Sequence, residues 1–188
     1  MATNMRKLVS FIQVTLDGYF ADMNGDISWA HKDNKDAEWD AFVADNASGG
    51  GILLFGRITY EMMAGYWPTP YAIGNDPIVA EQMNKLQKVV FSETLDKASW
   101  NNTKLVKDGM AAEIRKMKKE PREDIAILGS GSIVSQLAQE GLIDEYQIVV
   151  NPVVLGKGRT MFDGIKEKLT KTRTFGNGNV LLCYEPMA

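Results

Sequence analysis

Apolar and polar positions along the chain form blocks that predict eight strands separated by helices. The first apolar run, Lys7–Leu16, is rich in β-branched residues and ends at Asp17-Gly18, a pair typical of turns. Five more segments with apolar residues predict strands, at 52–55, 88–92, 103–107, 125–128 and 145–150, and the last two predicted strands, 169–175 and 180–185, form a hairpin pattern. Apolar residues at helical spacing predict about four helices, at 36–47, 76–86, 108–117 and 133–141, with a short helical segment after Gly56.

The order of these elements predicts the fold class. Helices alternate with strands as far as Tyr146, which is typical of a parallel α/β sheet. The last two strands are joined by Gly176-Asn177-Gly178-Asn179, which favours a hairpin. We therefore expect an α/β fold: an eight-stranded, mostly parallel sheet with an antiparallel C-terminal hairpin and about four flanking helices. A chain of 188 residues without an internal repeat or linker is expected to form one domain, residues 1–188.

Composition and charge argue against several classes of function. Lys and Arg number 21 against 24 Asp and Glu, so a net charge of −3 gives no general attraction to nucleic acid or to anionic membranes. With one cysteine, Cys183, and one histidine, the chain has no metal-ligand cluster and no intrachain disulfide. No apolar run is long enough to span a membrane, and Met1–Arg6 does not resemble a secretory signal. The expected setting is the reducing cytoplasm.

Two predicted strand-to-helix junctions, Leu54–Tyr60 and Leu128–Ile133, carry residues suited to anion binding. In an open α/β sheet, ligands bind at the carboxyl ends of strands, where helix N-termini direct amides at anions. Gly56 permits close approach, and Arg57 and Thr59 fall in the first helical turn. Small residues leave the second junction's amides open. Glycine at such a junction is also ordinary turn chemistry, so each junction taken singly is a weak signal.

Several further motifs surround these junctions in a fixed order. They are Thr15–Ala21, Trp29, Leu54–Glu61, Val89–Ser92, Ile127–Gly131, Gly141–Glu145 and Asn151–Arg159. Together they resemble the dihydrofolate reductase-like superfamily. The last motif is similar to the branch that contains the reductase domain of riboflavin biosynthesis and its stand-alone relatives, the bacterial-type riboflavin reductase C-terminal domain family. The resemblance extends from about Arg6 to Glu185.

The resemblance implies that NADPH, with NADH as a possible substitute, lies across the carboxyl edge of the sheet. By this comparison the adenosine-side phosphates bind at Gly56, Arg57 and Thr59, and Ser92 lies beside the adenosine ribose. The pyrophosphate binds at the second junction, formed by Gly129, Ser130, Gly131, Ser132 and Ile133. The loop from Asp17 to Trp29 covers the nicotinamide. In folate reductases the peptide bond at the position of Gly129-Ser130 is cis and joins two glycines. The sequence does not decide whether the Gly129-Ser130 bond is also cis.

The implied activity is hydride transfer to a C=N or C=O bond of a small heterocycle or its sugar adduct, as in 5-amino-6-(5-phosphoribosylamino)uracil reductase. The alternatives are a true dihydrofolate reductase and a nucleotide-binding protein without turnover. Counting back without gaps from Gly56 places the pocket carboxylate at Asp40, with Asp36 and Glu38 as alternatives. A carboxylate in the first turn of a helix is also typical of a capping or solvated group.

The substrate pocket is expected to be lined by Phe11, Gln13 and Trp29. Gln13 is a polar amide on an otherwise apolar strand, where burial without a partner would cost about 1–3 kcal/mol. We therefore expect it to face the pocket and to hydrogen-bond the nicotinamide amide or the substrate.

Two further expectations concern the dinucleotide and the assembly. Arg57 suits the 2′-phosphate of NADPH, whereas Glu93 would repel that phosphate and suit the free hydroxyl of NADH. NADPH is expected to be favoured with weak discrimination. Relatives commonly pair through the face around their last strands, so a homodimer that covers part of Leu169–Glu185 is expected.

Overall fold

The computed structural model describes residues 6–31, 36–48, 51–161 and 166–187 of the chain. The strands are β1 (Leu8–Thr15), β2 (Ile52–Gly56), β3 (Gln87–Phe91), β4 (Thr103–Val106), β5 (Ile125–Ile127), β6 (Glu145–Asn151), β7 (Glu167–Thr174) and β8 (Val180–Pro186). The helices are α1 (Ala37–Ser48), α2 (Arg57–Tyr66), α3 (Pro70–Asn75), α4 (Pro77–Lys85), α5 (Met110–Lys118) and α6 (Gly131–Gln139), with a single 3₁₀ turn at Ser28–His31.

All eight strands belong to one sheet, in the order β4-β3-β2-β5-β1-β6-β8-β7. The pairs from β4 to β6 are parallel, whereas β8 runs antiparallel to both β6 and β7. The turn between β7 and β8 closes through a hydrogen bond from Phe175 N to Asn179 O, and Gly178 takes a φ of +88° that favours glycine. The predicted fold, a mostly parallel sheet with an antiparallel C-terminal hairpin, is confirmed.

The two faces of the sheet bury separate apolar clusters, because side chains alternate between faces along each strand. One face packs against α5 and α6 through Ile114, Val134 and Leu137. The opposite face carries two clusters. Tyr60 of α2 and Met83 of α4 cover the first of these, whereas Trp39 and Phe42 of α1 pack against the second.

The structure has six α-helices within the described residues, where about four were expected. The unpredicted element is α3, a six-residue helix that lacks a clear apolar period. Its start is instead defined by capping: the Thr69 hydroxyl accepts a hydrogen bond from Ala72 N (3.2 Å), and Pro70 occupies the first helical position.

Candidate nucleotide and substrate site

The two glycine-containing junctions lie side by side, because β2 and β5 are parallel neighbours. Gly56 N donates to Gly129 O at 3.1 Å. A Cβ on Gly56 would lie 2.4 Å from Ser130 Oγ, and a Cβ on Gly129 would lie 3.1 Å from Thr59 Oγ1. The Gly129-Ser130 peptide bond is cis. Gly56 thus lies against Ser130, and Gly129 lies against Thr59. A Cβ at Gly56 would displace Ser130, and a Cβ at Gly129 would strain a backbone whose φ is +119°.

The N-termini of two helices lie at this contact. Helices α2 and α6 follow Gly56 and Ser130. Gly56 has no side chain, and the Ser130 hydroxyl does not accept from a backbone N–H of α6, so neither helix has a side-chain cap. The first N–H groups of a helix have no intrahelical acceptor, so both ends can bind an anion. Ser130 Oγ and Ser132 Oγ lie 2.9 Å apart on the exposed side of the junction. Ile133 contributes differently: its N–H already donates to Ser130 O (3.1 Å) and its side chain is buried in the core.

The residues that come directly after β3 and β4 form a third part of the carboxyl edge of the sheet. In the sheet register Gly56 is opposite Phe91 and Phe91 is opposite Val106, so Arg57, Ser92 and Lys107 follow three neighbouring strands. The guanidinium of Arg57 is half-exposed and lies 3.5 Å from Glu61. The Ser92 hydroxyl accepts from Leu95 N at 2.9 Å and so shapes the turn after β3.

Lys107 is a residue that the sequence analysis missed. Its ammonium donates to the carbonyls of Glu93 (3.4 Å) and Leu95. It therefore places a cation on the turn that carries Ser92, and the Glu93 side chain is exposed on the same turn. Its place as the last residue of the predicted fourth strand, 103–107, was the available signal, because that strand ends at the same edge.

The loop from Asp17 to Trp29 is attached to the loop that follows β6. The Asp17 carboxylate accepts hydrogen bonds from Thr15 Oγ1 (2.6 Å), Gly156 N (2.7 Å) and Leu155 N (3.3 Å). These donors, the Thr15 hydroxyl first, lower the pKa of Asp17. Ala21 and Arg159 form an antiparallel bridge. The two loops are consequently held together at the carboxyl edge of β1 and β6.

Aromatic residues of the first loop contact the rest of the edge. A Cβ on Gly131 would lie 2.6 Å from the Phe20 ring, so this ring covers the start of α6. Trp29 is buried, and its Nε1 has no hydrogen-bond partner among the described residues.

Phe11 and Gln13 lie on the face of the sheet that packs against α1. The Phe11 ring is 6.3 Å from the ring of Phe42, a residue of α1. Gln13 is half-buried, and its Oε1 accepts a hydrogen bond from Asn151 Nδ2 at 3.2 Å. Gln13 therefore does not extend into bulk water. Its contact with a ligand stays a prediction.

The three candidate carboxylates have different surroundings. Asp36 Oδ1 caps α1 by accepting from Glu38 N (2.9 Å) and Trp39 N (3.0 Å), and Oδ2 accepts from Asn177 N (2.7 Å). These N–H groups, that of Trp39 first, lower the pKa of Asp36. Glu38 pairs with Arg173 at 2.7 Å. The exposed carboxylate of Asp40 makes no hydrogen bond or ion pair with the described residues, so it alone of the three is free of a structural partner.

The described residues contain neither a cluster of metal ligands nor a helix that could span a membrane. Among the residues that the structure describes, no three His, Cys, Asp or Glu side chains come close enough to hold a metal ion. No helix in the described ranges combines the length and apolar character needed to cross a membrane.

Comparisons with known proteins identify the family of the chain and agree with its fold. YyaP of Bacillus subtilis is 30% identical over 187 residues, which cover 95% of this chain and 94% of that protein. RibD of Acinetobacter baumannii superposes with a TM-score of 0.70 at 17% identity, over 100% of this chain and 60% of that chain. Dihydrofolate reductase of Enterococcus faecalis, complexed with NADP(H), superposes with a TM-score of 0.63 at 13% identity, over 97% of each chain. Residues 6–181 match the family described as the RibD C-terminal domain, and the chain belongs to that family.

Proposed function

We propose that this chain is a nicotinamide dinucleotide-dependent reductase that transfers hydride to a C=N or C=O bond of a small heterocycle. The observation that carries the proposal is the meeting of two helix N-termini without a side-chain cap, those of α2 and α6, at two closely packed glycines, Gly56 and Gly129. Two such ends supply the N–H donors that a pyrophosphate requires. Membership of the RibD C-terminal domain family supports a reductase.

The described residues fit a dinucleotide along this edge. In the proposal, Gly56, Arg57 and Thr59 hold the adenosine-side phosphates. The pyrophosphate lies against Gly129, Ser130, Gly131, Ser132 and Ile133. Ile133 shapes this part of the site by packing in the core, since its N–H is already bonded. The bound dihydronicotinamide would supply the hydride, whereas the protein supplies position and excludes water. Phe20 and the loop attached through Asp17 perform the exclusion.

NADPH is the proposed dinucleotide, with NADH bound more weakly. Arg57 and Lys107 flank Ser92 at the ends of neighbouring strands, and two cations there favour a 2′-phosphate. Glu93, exposed on the same turn, opposes it. The carboxylates of Glu93 and of Glu61, which lies 3.5 Å from Arg57, predict a preference for NADPH that is smaller than Arg57 and Lys107 alone would produce.

On the substrate side, the proposal assigns a polar contact to Gln13 and a wall of the pocket to Phe11 and Trp29. Asp40 is the proposed pocket carboxylate, since Asp36 and Glu38 are already engaged by the α1 N-terminus and by Arg173. A carboxylate at this place would bind the N–H edge of the heterocycle and assist protonation of the atom that neighbours the reduced carbon.

The proposal is tested by following the absorbance of NADPH in the presence of a panel of oxidised pterins, pyrimidinones and cyclic imines. Oxidation with at least one member is expected, and Asp40→Asn should slow it by about 10²-fold or more, as loss of a general acid–base group does. Turnover confined to dihydrofolate would instead identify a true dihydrofolate reductase. Binding of NADPH without oxidation by any member would contradict a catalytic function.

We also propose that the chain forms a homodimer. β7 is the last strand of the sheet, so no described strand pairs with one edge of its backbone, and six of its eight residues are exposed. Pairing of copies would cover this edge and reduce its tendency to aggregate. Light scattering at micromolar concentration should give about twice the 20.9 kDa chain mass, and a clean monomer mass would overturn the dimer.

A further inference from the structure

Asn151, the last residue of β6, is a buried amide beside the predicted pocket residue Gln13. Its Nδ2 lies 3.3 Å from Val14 O, 3.3 Å from Val149 O and 3.2 Å from Gln13 Oε1. One nitrogen is thus surrounded by two backbone carbonyls and one side-chain amide of β1 and β6, which are neighbouring parallel strands.

These contacts determine the orientation of both amides. Backbone carbonyls can only accept hydrogen bonds, so the Asn151 atom that faces Val14 O and Val149 O must be the nitrogen. The Asn151 NH₂ has two protons for three acceptors, so a proton is shared between two of them. A Gln13 NH₂ in this place would set donors against donors, so the Gln13 atom that faces the nitrogen is Oε1. Rotating either amide by half a turn would place two oxygens or two nitrogens against each other, which the hydrogen-bond network excludes.

The orientation leaves the nitrogen of Gln13 available. Gln13 Nε2 donates to none of the described residues. The atom is not fully buried, so it keeps access to solvent. Gln13 shares its face of the sheet with Phe11, next to α1. Two N–H donors are therefore presented on the side where the heterocycle is proposed to bind.

We infer that Asn151 is a positioning residue that fixes Gln13 as a hydrogen-bond donor, so that the site selects heterocycles presenting an acceptor, a carbonyl oxygen or an unprotonated ring nitrogen, to β1. The inference rests on the proposed function, because it assumes that a heterocycle binds beside Phe11 and Gln13. A ring that presents an amino group at this position would leave two donors facing each other, and one of them would lose its hydrogen bond to water without replacement.

The test uses two rings of matched shape, quinazoline-2,4-dione and 2,4-diaminoquinazoline, titrated into the protein saturated with NADPH. The wild type is expected to bind the dione about tenfold more tightly than the diamine, the ratio that one unmatched hydrogen bond produces. Gln13→Glu keeps the acceptor for Asn151 but removes both donors, so it should reverse the preference at unchanged thermal stability. Gln87→Glu, which adds the same charge at an exposed position at the start of β3, should leave the ratio unchanged.

A second variant tests the positioning role itself. Asn151→Ser removes the anchor, so Gln13 can present either end and the ratio should fall to less than about threefold. The inference is overturned if Gln13→Glu leaves the wild-type preference intact, which is the result expected when Gln13 serves only as an acceptor for Asn151. It is also overturned if the NADPH-bound wild type binds neither ring. Failure to bind NADPH at all would instead reject the proposed function.

Discussion

Lys88 is an almost completely buried lysine, with 1% of its surface exposed. Its ammonium donates to Leu86 O (2.6 Å) and Asn84 O (3.2 Å) at the end of α4 and lies 4.5 Å from the ring of Trp100. These contacts satisfy the charge only in part, because burial lowers the pKa of Lys88 from 10.5 to about 8. The charged form of this residue is therefore less favourable in the folded chain than in the unfolded one.

This shift predicts how stability depends on pH. Between about pH 8 and pH 10.5 the unfolded chain holds the proton of Lys88 and the folded chain does not. The free energy of unfolding should therefore rise with pH across this window, by up to about 3 kcal/mol. Urea denaturation of the wild type and of Lys88→Met at both ends of the window measures the effect. An equal change in the two proteins would contradict the assignment.

Asp36 joins α1 to the turn between β7 and β8, since one oxygen caps the helix and the other accepts from Asn177 N. Asp36→Ala should lower the urea midpoint more than Glu38→Ala, which removes only an exposed ion pair with Arg173. The pKa of Asp36 is lowered in the folded chain, so its contribution is complete above the ordinary value of 3.8 and is lost as the pH falls below it. Equal midpoints for the two variants, or a difference that persists in strong acid, would refute this role.

At the scale of elements, α1 and α6 are attached to the sheet in different ways. None of the 12 residues of α1 is fully buried, whereas α6 buries Gly131, Ile133, Val134 and Leu137. The rings of Trp39 and Phe42 lie 5.1 Å and 5.2 Å from that of Phe175 and join α1 to the last hairpin. The helix that carries Asp40 is thus the less buried of the two, as expected if it forms the proposed wall of the substrate pocket.

The junction between β2 and α2 gives a matched pair of glycine substitutions on one element. A Cβ on Gly56 would lie 2.4 Å from Ser130 Oγ, whereas a Cβ on Gly65, near the other end of α2, would meet nothing within 4 Å. Gly56→Ala should weaken NADPH binding at least about tenfold by displacing Ser130, a change of about 1.4 kcal/mol. Gly65→Ala should leave binding unchanged and raise stability by about 0.5–1 kcal/mol. Calorimetric titration and thermal unfolding measure both effects, and equal NADPH affinities would contradict the account.

The elements were largely predictable because their signals are local. Most strands are apolar runs bounded by turn residues, and Gly176-Asn177-Gly178-Asn179 indicates the final hairpin, including its polar strand β7, directly. Helix α3 was missed because six residues are too few to show a period, and only the Thr69 cap and Pro70 mark its start. The glycine junctions were found because a strand followed at once by glycine and a helix is itself a local pattern.

At the scale of the whole molecule, the features that sequence could not predict depend on strand order. Asp17 and Gly156 are 139 residues apart, and Gln13 and Asn151 are 138 apart, yet each pair is joined because β1 and β6 are neighbours. No local pattern in the sequence shows which strands are neighbours in the sheet. The strand order also places Lys107 beside Ser92. Of the three candidate carboxylates, Asp40 alone has no structural partner among the described residues.

The central claim is that a nicotinamide dinucleotide binds along the carboxyl edge formed by β2, β3 and β5. Amide resonances of the ¹⁵N-labelled chain, followed during titration with NADPH, test it directly. The account predicts saturable shifts at 56–59, at Ser92 and at 129–133, with none at 141–146 on the opposite edge of the sheet. Resonances that do not move at millimolar NADPH, or that move only at the opposite edge, would contradict it.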